Sequence, residues 1–422
     1  MTTRLASALP TRESGRHRTP TRERPVAAAR TKSGVVRVVT FGILIGSYVI
    51  NAMDRQLFPL VAPDVRREYG FSLAAVGLLS TVFTLGMAVA GMPTGFLLAR
   101  FSRRVVLQTG IALFSAGTAL TVLSRGFPDM LVYRTVTGIG EAMQLTVLLA
   151  IAANYFAAYR AAAVGAVNFA FAIGAILGPL IGGALLGAYG SWRVPMVFFG
   201  ALGFAAMAVI AIGVEPSGTE RDGSSAAHAD DGGAATLANR NTILLTMMSL
   251  FGGLVIYGYL GLYPTFLREG LGYAPATAGS VMSLYGLGAL MSIGGGWIGD
   301  RGSPRLVLSA TFLTAAVLGY LLFNGSASYY WQAALSFAWG VVVSGIVYVN
   351  LAGYHVKAVR RDLAGRASGV FVTSLYVSAA FAGYVMGWIA NRAGWGAAGT
   401  IQISACSLAA ATLAIGLRFE RR

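Results

Sequence analysis

The sequence predicts an all-α membrane protein of about twelve transmembrane helices in two pseudo-symmetric six-helix bundles, and three observations carry that prediction. Of the 422 residues, 56% are hydrophobic and only 11% charged, with a mean hydropathy of +0.66. That is more apolar surface than a water-soluble domain can bury. Charge-free stretches recur, each near the roughly 20 residues a helix needs to cross hydrocarbon and too long for membrane strands. One long polar segment, Glu215 to Asn241, divides those stretches six and six.

The first half gives spans at Val38–Val61, Ala74–Leu98, Val105–Val122, Met130–Ala153, Ala161–Gly187 and Val194–Val214. The second gives Ile243–Phe266, Ala278–Ile298, Leu306–Phe323, Tyr330–Ala352, Gly369–Ile389 and Gly399–Leu417. The predicted organisation is a disordered basic tail over 1–37, a helical bundle over 38–214, a linker over 215–241, a second bundle over 242–418 and a short terminus at 419–422. The halves echo one another. Gly95 and Arg100 after the second span recur as Gly296 and Arg301 after the eighth, and Arg160, Gly165 and Trp192 are mirrored by Arg366, Gly369 and Trp395.

A formal charge of +16 invites a nucleic-acid reading, but the basic residues sort by side. Of 32, the tails, linker and even-numbered loops hold 24 and the opposite loops six. The positive-inside rule then places both termini in the cytoplasm of a multi-pass protein, in the inner membrane if the cell has two. The charge orients the protein and implies no nucleic-acid partner. A single cysteine, Cys406, and three histidines exclude a disulfide framework and a cysteine- or histidine-built metal site, and no cofactor is implied. The lysines, Lys32 and Lys357, follow Thr and Val, so no Gly-Lys phosphate loop exists to drive an ATP pump. No catalytic set of the kind an embedded enzyme needs is visible in the spans.

Four ionisable residues fall deep in the spans: Asp54 and Arg55 in the first, Arg134 and Glu141 in the fourth. Each costs several kcal/mol at the bilayer centre unless it meets a partner or water, so they are expected to meet. Arg134, Gly138 and Glu141 share one helical face; so do Ser47, Asn51 and Asp54, with Arg55 about 100° around. With both carboxylates ionised the pocket is neutral. Protonating Asp54 or Glu141 leaves surplus positive charge on Arg55 and Arg134, which attracts an anion. Binding of proton and anion is then positively coupled, as symport requires. Asn51, Gln144, Tyr257, Tyr263, Asn350 and Tyr376 are expected to shape the substrate cavity, and a monomer is expected because such a bundle encloses its own pathway.

At these residues the chain resembles the major facilitator superfamily. Gly296, Asp300, Arg301 and Arg305 match its loop motif, and Gly95, Arg100, Arg103 and Arg104 match the copy in the first half, where Ala99 replaces the usual Asp. The resemblance implies that Gly95, Arg100, Arg104, Gly296, Asp300 and Arg301 act in loop gating. Asn51, Asp54, Arg55, Arg134 and Glu141 resemble the anion:cation symporter branch, which includes sugar-acid transporters, and spinster-like lipid transporters show a similar pattern. This implies proton coupling at Asp54 and Glu141 and substrate binding at Arg55 and Arg134, for a small organic anion carried with protons. Gly165, Gly174, Gly178, Pro179, Gly182 and Gly183 resemble the antiporter motif of drug:proton exporters. Their alternative reading is close helix packing, since small residues four apart let backbones approach in lipid.

Overall fold

The computed structural model describes residues 25–155, 160–214, 233–360 and 363–419, with the side chains of 25–37, Met92, 153–155 and 160–164 excepted. The chain divides into two units, Met1–Val39 and Thr40–Arg422. Helix α1 (Pro25–Tyr69) begins within the stretch expected to be a disordered tail, so that expectation is corrected for the backbone of residues 25–37; residues 1–24 lie outside the described residues.

In the first half α1 is followed by α2 (Leu73–Thr81) and α3 (Phe83–Arg100), which share one crossing, then α4 (Arg103–Leu120), α5 (Phe127–Tyr155), α6 (Arg160–Tyr189) and α7 (Arg193–Gly213). The second half holds α8 (Arg240–Thr265), α9 (Pro275–Ala289) with α10 (Ser292–Arg301), α11 (Pro304–Asn324), α12 (Tyr329–Trp339) with α13 (Val349–Lys357), α14 (Ala364–Ala398) and α15 (Cys406–Ile415). Ten stretches of the described residues are long and apolar enough to cross a membrane. One of them, Ala364–Ile415, is 52 residues long and turns back at Gly394, whose φ of 84° breaks the helix. Counting it as two crossings and adding α1 gives the expected twelve. Large apolar side chains such as Phe96, Ile212, Ile293 and Leu306 stand exposed along these helices, as a bilayer solvent allows.

Of the expected linker, residues 215–232 lie outside the described residues, and the rest leads from Gly233 into α8 at Arg240. The backbone at Ala234 pairs with residues 358–360, and Asn239 caps α8 by accepting from the Thr242 amide at 3.0 Å.

The duplication is visible in the loops. Positive-φ glycines close the turns at Gly70 and Gly190 in the first half and at the corresponding Gly272 and Gly394 in the second. It recurs where the halves meet. A Cβ on Gly77 would overlap the Gly383 carbonyl, and one on Gly279 the Pro179 carbonyl; one on Gly387 would overlap the Leu73 carbonyl, and one on Gly183 the Pro275 carbonyl. The seams α2–α14 and α6–α9 are therefore built alike, with backbones touching at glycine. On the same face Arg66 at the end of α1 bonds Glu269, 2.8 Å away, while Arg268 beyond α8 returns the contact to Asp64 and to the Leu60 carbonyl. These ties close the face that carries the four glycine turns. At the other ends of the same helices, among the described residues, Gly91, Gly95 and Gly369 have open space where a side chain would stand.

Candidate functional site

The charged residues sit where α1, α3 and α5 are pressed together. A Cβ on Gly138 would run into the Phe83 backbone, and one on Gly140 into Gly110 and Phe114 of α4, so α5 lies against both neighbours without intervening side chains. This close approach is what buries Asp54, Arg55, Arg134 and Glu141, none of them more than 6% exposed.

Arg55 Nε lies 3.0 Å from Glu141 Oε2, but its N–H is not aligned on that oxygen, so the pair is held by charge more than by a formed hydrogen bond. Asp54 accepts from the Thr118 hydroxyl of α4 at 2.8 Å and stands beside the Glu141 carboxyl. Arg134 is arranged differently from the expectation of four charges in mutual contact. Among the described residues no carboxylate lies within 4 Å of it; its Nε is 3.4 Å from the Leu79 carbonyl and its guanidinium lies over the rings of Phe58 and Phe83, at 4.8 and 5.4 Å. Cation–π contact and the field of the two carboxylates stabilise it in place of a direct salt bridge. Asn51 and Gln144 are joined by a 2.8 Å hydrogen bond, and Gln144 donates on to Ser47 at 3.0 Å. This amide pair clips α1 to α5 one turn from the ions.

Arg55 also faces the second half. A cavity beneath the closed face is lined by Arg55, Gln56, Pro59, Ser80, Phe83, Phe171, Tyr257 and Leu260. The Tyr257 ring lies 6.0 Å from that of Tyr376 and 6.1 Å from that of Phe83. Tyr48 sits under the guanidinium at 5.9 Å, and Tyr348 lies beside Tyr376. The site thus presents one cation, partly engaged by Glu141, to a wall of aromatic rings. Of the expected cavity residues, Tyr257 lines this space and Tyr376 lies against Tyr257. Tyr48 and Tyr348 are additions. Tyr48 precedes Arg55 by seven residues, two helical turns, and that spacing could have shown it; nothing in the sequence distinguishes Tyr348.

Tyr263 and Asn350 are not in this wall. Tyr263 donates to Gln332 at 2.8 Å and stacks on Tyr259 inside the second half. Asn350 donates to the Gly295 and Ile346 carbonyls at 3.0 and 2.9 Å and joins α13 to α10. Both polar groups are consumed by helix packing.

The loop residues stay within their own halves: Arg104 donates to the Ala211 carbonyl at 2.5 Å, Asp300 pairs with Lys357 at 2.7 Å, and Arg301 lies 4.2 Å over Trp297. Gly95 and Arg100 are exposed, and an added side chain at Gly296 would meet only Val349, at 3.7 Å. In α6, Gly174, Gly178 and Gly182 receive α1 through Ala52, Met53 and Leu57, while Pro179 and Gly183 receive α9. Gly165, with nothing near it, belongs to neither contact. Five of the six residues of the antiporter-like motif are accounted for as packing surface.

Residues 44–383 match the Major Facilitator Superfamily. The chain belongs to this superfamily. This major facilitator is a multi-pass membrane protein, and the relatives it matches are transporters. It is 24% identical over 302 residues to a hexuronate transporter of Bacillus subtilis, covering 67% of this chain and 71% of the relative. It is 29% identical over 195 residues to the protein spinster of Drosophila melanogaster, covering 46% of this chain and 32% of that protein. The match therefore spans about a third of spinster's length. Among solved structures, a bacterial homologue of the human lysosomal transporter spinster, in an inward-facing and occupied conformation, superimposes with a TM-score of 0.70 at 18% identity, over 90% of this chain and 94% of that one.

Proposed function

We propose that this protein carries an organic anion together with protons by alternating access, with Arg55 as the anion-binding group and Glu141 as the proton site that competes for it. The observation that carries this reading is the buried 3.0 Å approach of Arg55 to Glu141 at the wall between the halves. A buried cation of this kind has one partner to spare. While Glu141 is ionised it holds Arg55; once Glu141 is protonated, the guanidinium is free to take a carboxylate or phosphate of the substrate. Asp54, held by Thr118 beside Glu141, supplies a second proton site, and Arg134 supplies the fixed positive field that keeps the cluster balanced. The aromatic wall of Tyr48, Tyr257 and Tyr376 suits an anion with an apolar or sugar-like body. With both termini in the cytoplasm, the closed face is the external one. The pathway lies within one chain, so a monomer suffices.

A second reading is an amphiphilic lipid anion. It is favoured by the similarity to spinster and to a triacylglyceride transporter of Mycolicibacterium smegmatis, 30% identical over 169 residues, and it uses the same arginine and the same rings. Antiport export is supported less, because the α6 glycines that suggested it are occupied by α1 and α9.

Reconstitution in liposomes with an internal pH dye tests the proposal. Sugar acids, aromatic acids, short dicarboxylates and a long-chain anionic amphiphile are presented in turn, with Glu141→Gln and Arg55→Ala as comparisons. Symport predicts internal acidification driven by an inward gradient of one of these anions and lost in both variants. Acidification that survives in Glu141→Gln would remove Glu141 from the coupling step, and drainage of a preset proton gradient by a cation or neutral compound alone would replace symport with antiport.

A further inference from the structure

The two seams between the halves share their glycine contacts but not their outer surfaces. At the α2–α14 seam a groove of about 460 Å³ opens beside the glycine contact, lined by Leu78 of α2, Phe127 of α5 and Tyr384, Trp388, Asn391 and Arg392 of α14, among others. Tyr384, Trp388 and Arg392 follow one another at four-residue spacing, so they form one stripe along the helix. The two rings are each 44% exposed, and the Arg392 guanidinium lies 4.0 Å over the Trp388 ring. Among the described residues no carboxylate lies within 4 Å of Arg392, and no acidic residue lines the groove. At the matching positions of the α6–α9 seam, α6 carries Leu180, Ala184, Gly187 and Ala188. Duplication and helix packing therefore do not require the aromatic and cationic set; the packing works without it on the other side.

The height of the groove fixes its surroundings. Arg392 is two residues before the Gly394 turn, and Ser72 at the other wall is two after the Gly70 turn, so the upper end of the groove lies at the membrane boundary and its lower end in hydrocarbon. A cation and an amide above exposed rings match one kind of neighbour, an amphiphile with an anionic head and an apolar tail. We propose that this groove holds a resident anionic phospholipid of the adjacent leaflet, its phosphate on Arg392 and Asn391 and its acyl chain along Trp388, Tyr384, Phe127 and Leu78. Because the walls come from both halves, the lipid bridges α2 and α14 and favours the arrangement in which this face is closed. The site is separate from the Arg55 cavity and stands whichever anion that cavity carries.

The test uses the full chain in liposomes of phosphatidylcholine containing a trace of photoreactive phosphatidylglycerol or, in a parallel sample, photoreactive phosphatidylcholine, each with the diazirine on the acyl chain. Peptide mapping is expected to place the phosphatidylglycerol label on 72–78 and 384–392 in preference to the α6–α9 seam. Arg392→Gln is expected to reduce that label about tenfold, as loss of a charge-assisted contact implies, while leaving the phosphatidylcholine label unchanged. Trp388→Leu, which keeps the charge and removes the ring, is expected to reduce it less. Soluble glycerol phosphate in excess is expected not to compete, because it lacks the chain. Equal labelling by the two lipids, or equal labelling of the two seams, would show ordinary boundary lipid and overturn the proposal; so would retention of the phosphatidylglycerol label in Arg392→Gln. Competition by glycerol phosphate would assign the groove to a free phosphate and overturn it as well.

Discussion

Replacing Gly383 by alanine is expected to shift the protein away from the state in which the face of the four glycine turns is closed. The added Cβ would overlap the Gly77 carbonyl across the α2–α14 seam, and neither backbone can give way without moving its half, since Thr81 also ties this point by donating to the Ala380 carbonyl at 2.8 Å. Overpacking of this kind costs about 1–3 kcal/mol in the closed state, and the gain in helix propensity is shared by both states and cancels. The closed-to-open ratio should therefore fall by about 5- to 150-fold. Accessibility of Ser80, buried in the cavity below that seam, reports the shift. In a Cys406→Ser background, Ser80→Cys is labelled with an impermeant maleimide applied to one side of the membrane at a time. Labelling from the side of the glycine turns should accelerate by the same factor in Gly383→Ala. Gly91→Ala, where the space is open, should leave the rate unchanged. A folded Gly383→Ala protein labelled within about twofold of its parent would refute the claim that the glycine contact holds the face shut.

Two further perturbations test other parts of the structure. Outside the membrane, Glu68 accepts from Arg193 at 2.5 and 2.8 Å and from the Trp192 indole at 2.7 Å, and the Arg193 hydrogen bonds hold its carboxyl below the ordinary range. A lowered value means the tie contributes fully above the ordinary carboxylate range and is lost as pH falls through the lowered value. For this exposed pair the contribution is about 0.5 kcal/mol, so thermal melting should separate Glu68→Gln from the parent slightly at neutral pH and not at strongly acidic pH; a gap that persists in acid contradicts the assignment. Tyr263→Phe should cost about 1–2 kcal/mol of stability, because the buried Gln332 carbonyl loses its donor, and should leave substrate affinity unchanged; changed affinity at parental stability would return Tyr263 to the cavity.

The charged core was legible because charge inside a bilayer has so few permitted explanations. Asp54, Arg55, Arg134 and Glu141 could be picked out by their cost alone, and the helical spacing that put Asp54 beside Asn51 and Glu141 on the face of Arg134 is a local property of one chain segment. The division into halves was legible for a similar reason, since the polar segment after Glu215 interrupts an otherwise apolar chain. What could not be read was helix rotation. Tyr257 and Tyr263 lie on one helix, close in sequence and equally aromatic, yet one faces Phe83 across the halves and the other faces Gln332 within its own. Asn350 was equally ambiguous: a buried amide bonds whatever carbonyl the neighbouring helix offers, and here that is Gly295. The same limit hid Thr118 as the partner of Asp54, because that contact depends on how deeply α4 sits against α1.

The four intramembrane charges all belong to one half, and the facing wall is built from neutral rings. On the proposed reading, the charge that couples cargo to protons lies in one stretch of the gene and most of the rings that would shape the cargo's body lie in another, so the two can change at different rates. Substitutions at Tyr257, Tyr348 or Tyr376 would re-tailor what fits without disturbing the charge balance that links cargo to the proton gradient. A library confined to those three codons is where a new cargo specificity would be selected with its driving force intact.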